Sequence, residues 1–185
     1  MCQIKILWYF HNVFYHLGGS MRPNLTLAKI IEFLMEVDMF ASLDVSELSE
    51  IVSIMDIQSY EKGEVIFSEG DIGDAWYTIY SGSVAVERKN PFHDISSVAD
   101  LCAASCFGEM AILDDAPRSA TILASDSTLL FRFSRSKFER LLDKKSLGAY
   151  KLVYGMACIL AQRQRRLNNK ISELTQEIDF LDNPI

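Results

Sequence analysis

Hydrophobic residues recur at helical spacing in two short stretches before residue 57. In the first stretch, residues 25–35, the apolar positions follow the 3.6-residue period of an amphipathic helix. The second begins at Asp44, and Glu47 three residues later completes a capping box. The apolar stripes of the two helices are predicted to contain Leu27, Ile30, Ile31, Leu34, Leu48, Ile51, Val52 and Met55. We therefore predict two structural helices within residues 25–56.

From residue 57 to residue 134 the pattern changes to short runs of β-forming residues. The glycines that separate the first runs are Gly63, Gly70, Gly73 and Gly82. Short strands with glycine and aspartate turns are typical of an antiparallel barrel or jelly roll. A hairpin turn is predicted at residues 90–94, and Ser96, Ser97 and Asp100 interrupt the apolar run that follows it. We predict a mainly β fold with flanking helices, an antiparallel β-roll or jelly-roll barrel.

A short helix is predicted at residues 136–143, and a long one follows over residues 147–185. Apolar residues of the long helix step three and four positions alternately, which is the heptad pattern of a coiled coil. The d positions are Val153, Leu160, Leu167, Leu174 and Leu181, and the a positions are Ala157, Gln164, Ile171 and Ile178. A helix folded back on its own barrel needs the same stripe, but a barrel is too short to cover the helix beyond Leu167. We therefore predict a parallel two-stranded coil and a homodimer.

Composition and charge exclude several classes of function. The 185-residue chain has a formal net charge of −7, which disfavours nucleic-acid binding, so we interpret the basic cluster at residues 163–166 as a solvated face. No apolar run reaches membrane-spanning length. The four cysteines lack disulfide-framework or zinc spacing, which favours free thiols in the cytoplasm. No nucleophile–base set, Walker loop or metal cluster is present, so we predict neither an enzyme nor a metal site.

The candidate chemistry lies in residues 107–125, FGEMAILDDAPRSATILAS. Glu109 follows Phe107 and Gly108 directly, and Arg118 comes nine residues later. Glycine allows close backbone approach, and a short helix beginning near Glu109 would direct its N–H groups at a phosphate. Arg118 suits two phosphate oxygens, whereas Glu109 accepts from a neutral donor such as a ribose hydroxyl. The alternative is an internal Glu109–Arg118 ion pair that holds a loop in place.

The segment FGEMAILDDAPRSATI closely resembles the phosphate-binding cassette of the cyclic nucleotide-binding domain family. The resemblance extends upstream to residues 60–64, 69–74 and 81–84. It implies that Glu109 holds the ribose 2′-hydroxyl of cyclic AMP or cyclic GMP and that Arg118 holds the cyclic phosphate, with backbone amides in support. The ligand-binding residues that the resemblance implies are Phe107, Gly108, Glu109, Met110, Ala111, Arg118, Ser119 and Ala120.

The resemblance also implies a domain organisation. Residues 1–20 would be an N-terminal extension, residues 21–146 the cyclic nucleotide-binding domain with its β-roll at 57–134, and residues 147–185 a lid and coiled-coil helix. In that family the helix after the barrel closes over the base. The residue that stacks on the purine would be Tyr150, Tyr154 or Met156.

The leading hypothesis is a non-catalytic sensor that binds cyclic AMP or cyclic GMP and converts occupancy into helix movement. The sequence does not identify its effector protein. One alternative is a truncated transcriptional regulator of the catabolite-activator type, but residues 169–185 are too few for the helix-turn-helix that it needs. Another is a ligand-free dimeric interaction module, which the intact Glu109 and Arg118 disfavour.

Overall fold

The computed structural model describes residues 25–89 and 95–182 of the chain. The predicted N-terminal extension at residues 1–20 and the predicted hairpin turn at residues 90–94 lie outside the described residues. Along the chain, helices precede and follow a β-rich centre, as the hydrophobic pattern predicts.

Local sequence signals account for the N-terminal helices. These elements are α1 (Leu27–Met35), a 3₁₀ turn (Asp38–Phe40) and α2 (Val45–Val52). The predicted capping box is confirmed, because the Glu47 amide donates to Asp44 Oδ1 (2.9 Å) and the Asp44 amide to Glu47 Oε2 (2.8 Å). Two residues of the predicted stripes are assigned wrongly. Met55 opens the first strand because α2 ends at Val52, and Leu27 is exposed.

Eight described strands form two four-stranded antiparallel sheets. The strands are β1 (Met55–Tyr60), β2 (Val65–Phe67), β3 (Ala75–Ser81), β4 (Ser83–Lys89), β5 (Ile95–Cys102), β6 (Cys106–Phe107), β7 (Thr121–Ala124) and β8 (Thr128–Ser134). Their orders are β1-β8-β3-β6 and β2-β7-β4-β5, so the predicted antiparallel roll is confirmed, although the sheets do not close into a barrel. Ser96, Ser97 and Asp100 interrupt the apolar pattern but not the strand, because β4 pairs with β5 along its length, with one register shift between Val86 and Glu87.

Strand β3 divides the core into two parts because its side chains alternate between faces. Trp76 faces the helices, where its ring stacks on Phe133 with centroids 4.9 Å apart and meets Phe138 edge-on at 4.9 Å. Tyr77 faces the interior of the roll and stacks on Phe107 at 5.1 Å. Phe107, the last residue of β6, is thereby held inside the roll.

Three further helices complete the described fold. They are α3 (Met110–Leu113), α4 (Arg135–Asp143) and α5 (Leu147–Asp182). The predicted helix at residues 136–143 corresponds to α4, which begins one residue earlier. No helix among the described residues is both long and apolar enough to cross a membrane.

The first turns of α5 pack tightly on the N-terminal helices. Ala149, Leu152 and Met156 are fully buried in the helical part of the core. A Cβ atom on Gly155 would overlap the Met39 carbonyl oxygen, so only glycine permits this approach. This inward face explains the packing of the first part of the helix on its own domain.

The predicted heptad stripe lies largely on a different face of α5. Val153 is partly buried against the core, whereas Leu167, Ile171 and Leu174 are exposed. The side chains of the last two heptad positions, Ile178 and Leu181, lie outside the described residues. Folding back on the domain therefore accounts for the start of the helix and leaves its distal apolar stripe uncovered.

Candidate functional site

The segment from Phe107 to Ala120, hereafter the cassette, connects β6 to the start of β7. Gly108 has φ +79°, a left-handed conformation that glycine adopts without steric cost. Glu109 takes the N-cap position of α3, so the predicted short helix near Glu109 is present. A loop then leads to Arg118, whose amide donates to the Asp71 carbonyl (2.8 Å) and whose carbonyl accepts from the Gly70 amide (2.9 Å). These two backbone bonds fix the place where the Arg118 side chain leaves the chain.

The Arg118 side chain is buried between the cassette and the turn before β3. Its Nη1 donates to the Gly108 carbonyl (2.9 Å), and its Nη2 donates to the Ala75 carbonyl (2.7 Å) and lies 3.4 Å from Asp74 Oδ1. The guanidinium also covers the Phe67 ring, 4.1 Å from its centroid. Burial lowers the pKa of this guanidinium from its ordinary value.

One donor of the Arg118 guanidinium takes no part in these hydrogen bonds. Its Nε is buried and has no hydrogen-bond partner among the described residues. A buried donor without an acceptor is costly, and a bound anion would supply that acceptor. The residues present therefore suit an anionic ligand.

Glu109 is bound by a residue of the C-terminal helix. Its carboxylate is 1% exposed, and Oε1 accepts a hydrogen bond from Nη1 of Arg163 in α5. Nη2 of Arg163 also donates to the Cys106 carbonyl (2.7 Å). Burial raises the pKa of the Glu109 carboxyl, and the Arg163 guanidinium opposes that rise. The alternative of a Glu109–Arg118 ion pair is not what the structure shows, since each side chain has a different ionic partner.

Arg163 is a site residue that the sequence analysis missed. Its position in a basic cluster suggested a solvated face, whereas its side chain reaches the buried Glu109. The missed signal is its register on α5. Arg163 follows Met156 by seven residues, two helical turns, and so continues the inward-facing stripe.

The predicted ligand-binding residues differ in where their side chains lie. The Arg118 side chain contacts the Gly108 carbonyl, whereas the Glu109 side chain pairs with Arg163. The side chains of Phe107, Ala111 and Ala120 are buried and shape the backbone around them, whereas Met110 and Ser119 are exposed. Ser119 Oγ lies 4.0 Å from Met110 Sδ.

The three residues proposed to stack on a base do not lie where α5 meets the cassette. Met156 is fully buried among the N-terminal helices, so the structure contradicts its assignment. Tyr150 and Tyr154 are exposed and precede Arg163 by more than two turns. The contact with the cassette is made around Arg163 instead.

An open cleft of about 790 Å³ lies beside the cassette. Its lining includes neither Glu109 nor Arg118. Its lining residues are Gln58, Tyr60, Ile66, Phe67, Gly70, Asp71, Ile72, Asp74, Tyr77 and Arg132. The charge of Arg132 is already balanced there, because it contacts Asp74 (2.5 Å) and Asp56 (3.7 Å). The buried cassette residues are therefore the better candidate site.

Comparisons with known proteins give a family match over a range that contains the cassette. The sequence model of the cyclic nucleotide-binding domain matches residues 57–145. A cAMP-dependent protein kinase regulatory subunit of Aspergillus niger is 36% identical over 110 residues, which cover 60% of this chain and 26% of the relative. The chain spans only 23% to 37% of the length of the curated relatives that it matches.

Solved structures show the same fold. A cyclic nucleotide-binding domain from Methylobacillus flagellatus is 26% identical with a TM-score of 0.71, and the match covers 80% of this chain and 83% of that one. The catabolite activator protein of Thermus thermophilus is 28% identical with a TM-score of 0.66, and the match covers 75% of this chain and 63% of that one.

Proposed function

We propose that the chain is a non-catalytic regulator that binds a cyclic nucleotide, because residues 57–145 match the sequence model of the cyclic nucleotide-binding domain family. Residues 21–146 form the binding domain, and α5, in residues 147–185, transmits occupancy. The observation that carries this proposal is the junction of the cassette with α5, where Arg163 holds the buried Glu109. Occupancy of the cassette and the position of the helix then depend on the same carboxylate.

The phosphate of the ligand binds at Arg118. The guanidinium carries five N–H donors, and backbone carbonyls already accept from Nη1 and Nη2. The buried Nε lacks an acceptor among the described residues, and a cyclic phosphate presents anionic oxygens to such a donor. The carbonyls of Gly108 and Ala75 fix the guanidinium in place for the incoming charge.

The ribose of the ligand binds at Glu109. Arg163 occupies Oε1, and a carboxylate has a second oxygen that accepts from a hydroxyl. A ribose bound there changes the environment of the same group that holds α5. A ligand that favours one position of Arg163 over another therefore shifts the population of helix positions.

Cyclic AMP is the leading ligand, with cyclic GMP as the alternative. The similar Aspergillus niger protein is a cAMP-dependent regulatory subunit, which favours cyclic AMP. We place the protein in the cytoplasm because Cys106 and Cys158 form no disulfide, as is usual in a reducing compartment.

A second copy of the chain is the proposed partner of the distal half of α5. The exposed side chains of Leu167, Ile171 and Leu174 continue the heptad pattern beyond the part of the helix that packs on the domain. Leucine at d with isoleucine at a is the pattern of a parallel two-stranded coil. Pairing of two helices would cover this stripe.

A second candidate function is the sensor part of a transcriptional regulator. The similarity to the Thermus thermophilus catabolite activator protein favours it. The net charge of −7 disfavours direct contact of this part with DNA. In this candidate, another part of the regulator would bind the DNA. The ligand and the helix movement are the same in both candidates.

Calorimetric titration with cyclic AMP and with cyclic GMP tests the proposal. We expect saturable binding to the parent, and loss of that binding in Arg118→Ala because the phosphate donor is removed. Arg140→Ala is the matched control, since this arginine lies exposed on α4 and bonds only to the Ser136 carbonyl among the contacts described. A folded parent that binds neither nucleotide would refute the proposal and favour a ligand-free interaction module.

A further inference from the structure

Arg135, the first residue of α4, contacts the far end of the cassette. Its Nη1 donates to the Ala111 carbonyl (3.1 Å), and its Nη2 forms an ion pair with Asp115. The side chain is 23% exposed, so most of it is covered by these contacts. Neither the sequence pattern nor the resemblance assigns a role to this residue.

Two local bonds direct the guanidinium toward the cassette. The Arg135 amide donates to the Asp74 carbonyl (2.8 Å), which fixes the start of α4 against the turn before β3. The Arg135 Nε also donates to Glu139 Oε1 (2.8 Å), one turn further along α4. These bonds leave the two Nη groups to face α3 and the loop after it.

Arg135 lies where three segments meet. The turn before β3 touches α3 so closely that a Cβ atom on Gly73 would overlap that of Ala111. The same turn supplies Asp74, which contacts Arg118. A shift of α3 relative to this turn would therefore move the surroundings of the phosphate-binding guanidinium.

The partner of Arg135 has an unusual backbone. Asp115 has φ +57°, a left-handed conformation that is rare for residues other than glycine. An ion pair that holds its side chain helps to keep the loop between α3 and Arg118 in this conformation. Loss of the ion pair would release the loop toward more ordinary conformations.

We propose that Arg135 is a positioning residue that fixes the C-terminal end of α3 and the loop to Arg118, and so holds the cassette in its ligand-binding geometry. This inference rests on the proposed function. The Arg135 side chain acts on the ligand indirectly, through Ala111, Asp115 and the Gly73 carbonyl (3.4 Å from Nη1). It therefore complements Arg163, which binds the cassette at Glu109.

Hydrogen exchange of the cassette amides, measured without ligand, tests the positioning role of Arg135 independently of binding. In Arg135→Ala we expect the amides of residues 110–115 to exchange about tenfold faster, because charge-assisted bonds are lost. Arg135→Lys should recover part of the protection, since lysine keeps the positive charge near Asp115 but lacks the planar guanidinium that contacts Ala111 and Asp115 together. The matched control Arg140→Ala should leave these amides unchanged.

Calorimetric titration of the same variants with cyclic AMP measures the effect on binding. We expect Arg135→Ala to bind about tenfold more weakly, with an intermediate affinity for Arg135→Lys. Unchanged exchange in Arg135→Ala would overturn the proposal, and so would faster exchange with unchanged affinity. If the parent bound neither cyclic AMP nor cyclic GMP, the proposed function would be refuted. Faster exchange in Arg135→Ala would then still support the positioning role of Arg135 in the cassette.

Discussion

Replacing Arg163 by alanine leaves the buried carboxylate of Glu109 without its guanidinium partner. Removing one member of a fully buried ion pair costs about 3–5 kcal/mol. The Arg163 side chain is 39% exposed while that of Glu109 is 1% exposed, so solvent screens part of the attraction. We therefore expect Arg163→Ala to lower the free energy of unfolding by about 1–2 kcal/mol at neutral pH.

This loss should depend on pH in a defined direction. Burial raises the pKa of Glu109 in the folded protein above its ordinary value, so the folded state keeps this proton to higher pH than the unfolded state does. Stability is then lost as the pH rises from the unfolded pKa through the folded pKa. Without Arg163 the folded pKa rises further, so Arg163→Ala should come closest to the parent near pH ~4 and fall progressively behind it toward pH ~7.

Urea unfolding followed by circular dichroism at several pH values measures the effect. Adding Glu109→Gln to Arg163→Ala removes the buried charge, so we expect the double variant to recover much of the lost stability at neutral pH. Arg166→Ala, an exposed arginine on the same helix, is the matched control. A loss equal at every pH, or a double variant no more stable than Arg163→Ala, would refute this role of the ion pair.

Three further substitutions test other parts of the structure. Gly108→Ala should weaken cyclic AMP binding in calorimetry by about tenfold or more, since φ is +79° and the new Cβ would lie 2.8 Å from Arg118 Nη1. Lys145→Gly should raise the free energy of unfolding in urea by about 0.5–1 kcal/mol, because Lys145 has φ +60° just after α4, and a decrease would contradict this. Leu167→Lys should convert a dimer to a monomer in analytical ultracentrifugation, whereas Asn169→Lys, on the opposite face of the coil, should not.

Features encoded by neighbouring residues were predictable from the sequence. The capping box of Asp44 and Glu47 lies within one helical turn, and the structure shows both of its hydrogen bonds. The order of Glu109 and Arg118 along the cassette is also a local pattern. Such signals survive folding because tertiary contacts reinforce rather than oppose them.

Contacts between distant segments could not be predicted in the same way. Arg163 lies 54 residues after Glu109, and nothing near either residue in the chain indicates the other. The acceptors of Arg118 on β3 are a comparable case, since Ala75 offers only a backbone carbonyl, which every residue has. Met156 was wrongly predicted to stack on the purine because buried helix contacts and base contacts both favour apolar residues. Only the rotation of α5 on the domain distinguishes them.

The distance between α5 and the roll, measured with and without cyclic AMP, tests most directly whether ligand occupancy moves the helix. Spin labels at the exposed residues Lys62 and Asn169, attached through a chemistry that leaves the cysteines untouched, report this distance by electron–electron double resonance. Dilution with unlabelled chains removes distances between subunits. We predict that saturating cyclic AMP shifts the distance distribution in the parent and leaves it unchanged in Arg118→Ala. An unchanged distribution in a parent that calorimetry shows to be saturated would contradict transmission through α5.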